Sequence, residues 1–294
     1  MNPSYAECSA RERIARLFDP GSFHEWLPPE QRATSPHLAQ LGVPCAFDDG
    51  VAVGRALLDG RNVFVAAQEG EFMGGGVGEV HGAKLTGLLR RAVRDRPTAV
   101  VLLAESGGVR LHEANAGLIG VSEVMRAVLD ARAAGIPVLV LIGGANGCFG
   151  GMGIVARCAD TVVMSDIGRL GMSGPEVIEA SYGVEEFDAR DRALVWRTTG
   201  GKHRFLSGDC DVLVEDDVAA FRMAAIECLD RRCPLTLEVL ESEHVLLGER
   251  LHAAPAGADA VAFWHQLGIV RAEQVSDLDA AGLRELRAST ALSR

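Results

Sequence analysis

Aromatic residues are scarce in this 294-residue chain, at 5%, and no apolar run approaches the ~20 residues that a membrane-spanning helix needs. Blocks of arginine or lysine interleaved with aromatic platforms are also missing. With 29 basic against 40 acidic side chains the net charge is −11, so the chain offers no nucleic-acid surface. The acidity carries no further functional information. Seven cysteines, at 8, 45, 148, 158, 210, 228 and 233, form no CxxC pair, and no His/Cys group has zinc spacing. An odd count without a framework fits a reducing compartment. The first residues, MNPSYAECSARERIARLFDP, carry early charges and no apolar core, unlike a signal peptide. Together these absences predict a cytoplasmic protein with no membrane, nucleic-acid or metal partner.

What is present is a large apolar fraction, 48%, and 34 glycines, enough for a sizeable core in which backbones pack closely. Residues 1–45 read as an N-terminal arm: ARERIARLFDPG is a short amphipathic helix stopped by Pro20-Gly21, and prolines at 28, 29, 36 and 44 interrupt the rest of the arm. The main domain spans 46–294. It opens with VAVGRALLDGRNVFVAAQ, two β-rich runs around Asp59-Gly60, a hairpin signal. A glycine loop then starts a helix that Pro97 closes. TAVVLLAE reads as a buried strand. The helix after it places Leu111, Ala114, Leu118, Val121, Met125 and Val128 at the spacing of one apolar face. IPVLVLIGG and TVVMS are the next strands. Strand, glycine turn and helix repeat, which predicts crossovers and a largely parallel sheet. The chain is mostly helical from about 206.

Two turns stand out, Glu105-Ser106-Gly107-Gly108-Val109-Arg110 and Gly147-Cys148-Phe149-Gly150-Gly151. Each follows a buried strand and opens a helix, where backbone N–H groups have no intrahelical acceptor. Such groups cradle phosphate or stabilise an oxyanion that forms during reaction. GxxxxGK[ST] is absent. The GxGxxA match at Gly151, Gly153 and Ala156 lies several residues past its strand, whereas a dinucleotide fingerprint sits in the immediate turn. The glycines also suit tight helix-on-strand packing. Two such turns after neighbouring strands favour a shared oxyanion site. Cys148 has no His/Asp constellation to make it a nucleophile. Ser173 fails the GxSxG pattern and reads as a helix cap before Pro175.

ARERIARLFDPGSFHEW, GEFMGGGVGEVHGAKL, LLAESGGVRLHEANAGL and GCFGGMGIVARCADTVVMSDIGRLGMSGPEVIE, covering roughly residues 10–230 in order, resemble the carboxyltransferase subunits of acyl-CoA carboxylases. The resemblance is to the N-terminal half of the two-domain enzymes. It lacks the four-cysteine zinc ribbon usual in acetyl-CoA carboxylase β subunits. It is greatest to the β subunits of biotin-independent malonate decarboxylases. That likeness implies an α/β crotonase-like fold, a spiral of ββα units. It also implies decarboxylation of a malonyl thioester on an acyl carrier protein, made jointly with a γ subunit and served by an acyltransferase α subunit. No cofactor is then bound by this chain; the substrate rides on a phosphopantetheine-type, dephospho-CoA-derived thiol.

By the same resemblance the oxyanion donors are a backbone N–H at Gly107, Gly108 or Val109 and another at Gly150 or Gly151. For the proton owed to the enolate, or for orienting the substrate, the nearest titratable residues are His81, His112, Glu113 and Arg110. His81 and His112 begin predicted helices. An ion pair is the plainer role for Arg110, and a helix surface the plainer place for Lys84. Three other functions fit parts of the pattern: a biotin-dependent carboxyltransferase or malonate decarboxylase subunit, a non-catalytic scaffold for a γ subunit or carrier, and a free-standing crotonase-type hydratase or isomerase.

Overall fold

The computed structural model describes residues 3–31, 34–46, 48–254 and 258–289. The chain enters through α1 (Ala10–Leu17), β1 (His24–Trp26) and α2 (Pro36–Leu41). β2 (Val51–Leu58) and β3 (Arg61–Gln68) pair as the expected hairpin. Asp59 and Gly60 at its tip have φ of 52° and 71°, the positive values that a two-residue turn of this hand requires. Then α3 (Glu79–Asp95), β4 (Ala99–Ala104), α4 (Asn115–Ala133), β5 (Val138–Ile142), α5 (Gly150–Arg157) and β6 (Thr161–Ser165) alternate. Three helices, α6 (Pro175–Tyr182), α7 (Arg192–Thr199) and α8 (Gly201–Ser207), precede the last strand, β7 (Val212–Val214). The described chain ends in α9 (Val218–Cys228), α10 (Leu237–Ala253), α11 (Ala260–Gln266) and α12 (Ala280–Ser289).

The seven strands lie side by side in sequence order, antiparallel from β1 to β3 and parallel from β3 to β7. A parallel strand always added to the same edge through a right-handed crossover puts every connecting helix on one face, so the chain advances as a spiral. Isolated bridges trace a second rail: Val77 with Val109, Ser106 with Cys148, and Cys148 with Leu170. Each turn of the spiral is therefore a sheet strand, one extended step in a glycine-rich turn, and a helix. This is the ββα unit, in an α/β fold.

Side-chain alternation divides the sheet between two cores. Val100, Leu102 and Ala104 face α3, α4 and α5, while Ala99, Val101 and Leu103 face α1 and α9. Strands covered on both sides read as unbroken apolar runs, which is why TAVVLLAE and IPVLVLIGG were legible.

Three expectations need correction. The N-terminal stretch is no separate arm. Ser9 and Glu12 cap α1 reciprocally, a device typically worth ~1 kcal/mol. Ile14 and Leu17 are buried under the sheet, each contributing ~1.5–3 kcal/mol. The Tyr5 ring stacks on Phe221 of α9 at 4.0 Å, and β1 extends the sheet. The apolar face read for α4 is also only partly inside. The helix proper starts at Asn115, after a 3-10 turn and Ala114 at φ 46°, which breaks the register. Leu111 and Leu118 consequently stand in solvent, whereas Val121, Val124, Ala127 and Val128 are buried. Finally, the helical C-terminal part contains β7. Its α10 has no buried residue and exposes Leu237, Leu247 and Leu251. No described helix is long and apolar enough to cross a membrane.

Candidate active site

The spiral stacks the two glycine turns against each other. Ser106 N–H donates to Gly147 O at 2.8 Å and Phe149 N–H to Ser106 O at 2.7 Å. Gly108, at φ 123°, meets Gly150, at φ 58°. A Cβ on Gly150 would lie 2.9 Å from Gly108 Cα and 3.8 Å from Val109 N. Both backbones occupy the left-handed side of conformational space and touch without side chains between them, which glycine alone permits cheaply.

Of the predicted donors, three are already committed within the protein. Gly107 N–H donates to Gly74 O at 2.8 Å and Gly150 N–H to Met172 O at 2.9 Å; Gly108 N–H donates to Ser106 Oγ at 3.1 Å. Among the described residues, Val109 and Gly151 N–H have no acceptor. Val77 pairs with Val109 through Gly108 O and Arg110 N, which turns the Val109 N–H to the opposite side. Gly151 lies in the first turn of α5, where the N–H is unpaired by helix geometry and carries the positive end of the macrodipole. Val109 and Gly151 are both partly exposed. Leu111, beside the first turn, is 84% exposed, and Met172, bonded to the second, 67%.

The titratable candidates fare differently. His81 is fully buried. Its backbone N–H donates to Asp49 Oδ2 at 2.8 Å, and its ring nitrogens contact Asp49 O at 3.1 Å and Gln68 Nε2 at 3.0 Å. Burial, with the Arg110 and Lys84 cations nearby, pushes it down to about 3. It is a neutral core group, although it lies in the first turn of α3. Arg110 Nη1 donates to Asp49 Oδ1 at 2.8 Å and to Glu113 Oε2 at 2.9 Å, all three buried. Glu113 also accepts from the Ser35 hydroxyl. Arg110 and Glu113 are thus joined with Asp49 in a buried ion-pair network. Lys84 is buried too, its Nζ donating to Asp48 O at 2.9 Å and Val51 O at 2.6 Å. Only His112 keeps its side chain in solvent. Burial pushes the Cys148 thiol up to about 12, which leaves no thiolate for a nucleophile. The cap of α6 is Gly174, not Ser173.

Two residues escaped the sequence reading. Glu105 directly follows β4, and its buried carboxylate accepts from the N–H of Asn146, the residue before the second turn, at 3.0 Å. The guanidinium of Arg13, 92 residues away on α1, pairs with the same carboxylate. Arg13 Nε donates to Tyr5 O at 3.0 Å. The signals were there. Glu105 is a lone acid ending an apolar run, and Arg13 sits with Ala10, Ile14 and Leu17 in the apolar stripe of an amphipathic helix.

Residues 5–231 match the model of the carboxyl transferase domain. The chain is 45% identical over 245 residues, 79% of its length, to the malonyl-S-ACP:biotin-protein carboxyltransferase MADC of Malonomonas rubra, covering 77% of that protein. It is 33% identical over 187 residues to the acetyl-coenzyme A carboxylase carboxyl transferase subunit beta of Fusobacterium nucleatum, covering 60% of this chain and 59% of that one. Its fold matches a chain of the Pseudomonas malonate decarboxylase hetero-tetramer in complex with malonate, at a TM-score of 0.82 and 40% identity, with 89% and 96% of the two chains covered. A chain of the Pseudomonas MdcD–MdcE hetero-dimer matches at 0.68 and 37%, with 85% and 96% covered.

Proposed function

The chain belongs to the carboxyl transferase domain family, as a carboxyltransferase related to malonate decarboxylase, and from that premise we propose that it acts as a β subunit decarboxylating malonyl-S-acyl-carrier protein. Together with a γ subunit it yields acetyl-S-acyl-carrier protein and CO2. The observation that carries this reading is the pair of unspent amides, Val109 and Gly151 N–H, on two turns in contact.

The chemistry asks for little else from this chain. The bond between the carboxylate carbon and the α-carbon breaks, and its electron pair moves through the α-carbon onto the thioester carbonyl oxygen as CO2 departs. That oxygen gains most of its charge in the transition state. Amides already aimed at it therefore bind the transition state better than the ground state, at ~3–4 kcal/mol per donor. A side chain at either turn would sit where the thioester lies. The enolate then takes a proton at the α-carbon. On this chain His112 is the remaining titratable candidate for that step. The apolar residues around the turns, Leu111 and Met172 among them, suit coverage by a partner subunit, which also excludes water from the cleft.

A second reading is favoured by the 45% identity to a protein that uses a biotin protein. In that case the same bond breaks at the same two amides, but the carboxyl group passes to biotin. The assembly, purified with its partner subunits, is assayed for CO2 release from malonyl thioester with and without avidin. Turnover that survives avidin and disappears when the partner is withheld is the expected result. Loss of turnover to avidin would favour the biotin-dependent enzyme, and full turnover by this chain alone would contradict the shared site. In the same assay His112→Ala lowers kcat if His112 supplies the proton.

A further inference from the structure

Glu105 is the buried first residue of the first turn, and its neighbours hold its carboxylate in place. A Cβ on Gly70 or on Gly144 would overlap its carboxyl group, so two glycines clear its space. One carboxylate oxygen takes the N–H of Asn146, the residue before the second turn, at 3.0 Å. Asn146 is pinned further by its Nδ2, which donates to Gly70 O at 2.8 Å. The other oxygen takes the Arg13 guanidinium, itself 1% exposed. The Glu105 backbone N–H donates to Gln68 Oε1 at 3.2 Å. Through Gln68, His81 and Asp49 the bonded chain continues to Arg110, at the other end of the first turn.

We infer that Glu105, neutralised by Arg13 of the N-terminal helix, is a positioning residue that fixes the spacing of the two oxyanion turns. Its carboxylate belongs to the first turn by covalent sequence and to the second through the Asn146 amide. The distance between Val109 and Gly151 N–H is therefore held not only by the backbone bonds between Ser106, Gly147 and Phe149 but also by one side chain with no contact to substrate. Two donors aimed at one oxygen tolerate little error in that distance: a misplacement of about 1 Å costs ~10²-fold in rate. The buried charges need not stabilise the fold to have this effect, since apolar replacements of a buried ion pair are often neutral in stability. The inference rests on the oxyanion reading of the turns, and its test separates the two.

Two double variants remove the buried charge alike and differ in one acceptor. Arg13→Met/Glu105→Gln keeps an oxygen for Asn146 N–H; Arg13→Met/Glu105→Met does not. Each is prepared in the complete assembly, with melting temperature and backbone hydrogen exchange measured beside kcat and KM for malonyl thioester. The Gln variant is expected to keep kcat within about tenfold of wild type. The Met variant is expected to lose ~10²-fold in kcat at little changed KM, with faster exchange over 105–110 and 145–151 and a melting temperature near that of its Gln counterpart. Arg11→Ala, on the exposed side of α1, is the control that leaves all readouts in place. Equal kcat and equal exchange in the two doubles would overturn the inference. If the wild-type assembly releases no CO2, the functional proposal fails by itself, while unequal exchange between the doubles would still uphold the tether.

Discussion

The two glycine turns present the same thing, one free amide each, and hold it by different means. The first is clamped by buried charge at both ends: Glu105 with Arg13 before it, Arg110 with Asp49 and Glu113 after it. Its free amide, Val109, belongs to an extended step well ahead of α4, so the macrodipole adds nothing there. The second turn has no charge pair in its backbone path. Gly147 and Gly150 take positive φ, Phe149 and Cys148 are buried apolar residues, and Gly151 opens α5 over Val121. Here the helix supplies the field, and packing together with the bond from Asn146 N–H to Glu105 supplies the position. Electrostatic and steric damage should therefore separate between the turns.

The largest effect is expected from volume added to the second turn. A Cβ on Gly151 would come within 2.5 Å of Val121 Cγ1 in the core, so Gly151→Val is a packing lesion before it is an active-site lesion. Overpacking of this kind costs ~1–3 kcal/mol or more. Gly151→Ala should abolish most turnover and lower the melting temperature, and Val121→Ala in the same chain should recover the melting temperature. Failure of that recovery would show that the clash is not what holds the turn.

Next in size is removal of a donor from the first turn. Val109 N–H bonds to no described residue, so Val109→Pro deletes it without breaking a protein hydrogen bond. A loss of ~10²–10³ in kcat is expected, with KM and thermal stability moving much less. A variant as active as wild type would remove Val109 from the mechanism and leave the second turn alone in it.

The effect expected to touch turnover least near neutral pH is one of acid stability. Burial pushes His81 and His203 down to about 3, whereas an unfolded histidine titrates near 6.5. Between those values the unfolded chain binds protons that the folded chain refuses. Stability is then complete above about pH 6.5 and lost as the pH falls toward 3, with a slope of ~1.4 kcal/mol per pH unit for each histidine. His203→Phe, beside the Phe263 and Trp264 rings, should roughly halve the slope in denaturant titrations. Only His81 is bonded to the network of the first turn. Acid should therefore quicken hydrogen exchange over 105–110 first and over 147–151 only as far as the bonds between the turns transmit it; earlier loosening of 147–151 would contradict this order.

Much of this architecture was legible in residue order. Asp59-Gly60 announced the hairpin, apolar runs the central strands, and glycine density both turns, because each depends on local conformation or on two-sided burial. At the two turns the residue order leaves five amide donors open where hydrogen-bond accounting leaves two. That accounting needs the acceptors: Gly74 O, Met172 O and the Ser106 hydroxyl spend three of the amides. Burial of charge was the other blind spot. His81 and Lys84 look like solvated residues on a helix start and a helix surface, whereas Arg110, read as an ion-pair residue, makes that pair with Asp49 and Glu113. His81, Lys84, Arg110 and Glu113 are buried because partners remote in sequence, Asp49 above all, are folded onto them. Glu105 and Arg13 illustrate the same limit, although a charged residue in an apolar stripe is a pattern that residue spacing can flag.

The most direct measurement is a structure of the complete assembly with an unreactive enolate mimic of the malonyl thioester. Its oxyanion is predicted to lie within about 3 Å of both Val109 N and Gly151 N, the reach of a catalytic donor. A mimic bound with that oxygen distant from both amides, in a protein that still turns over substrate, would contradict the assignment of the two turns.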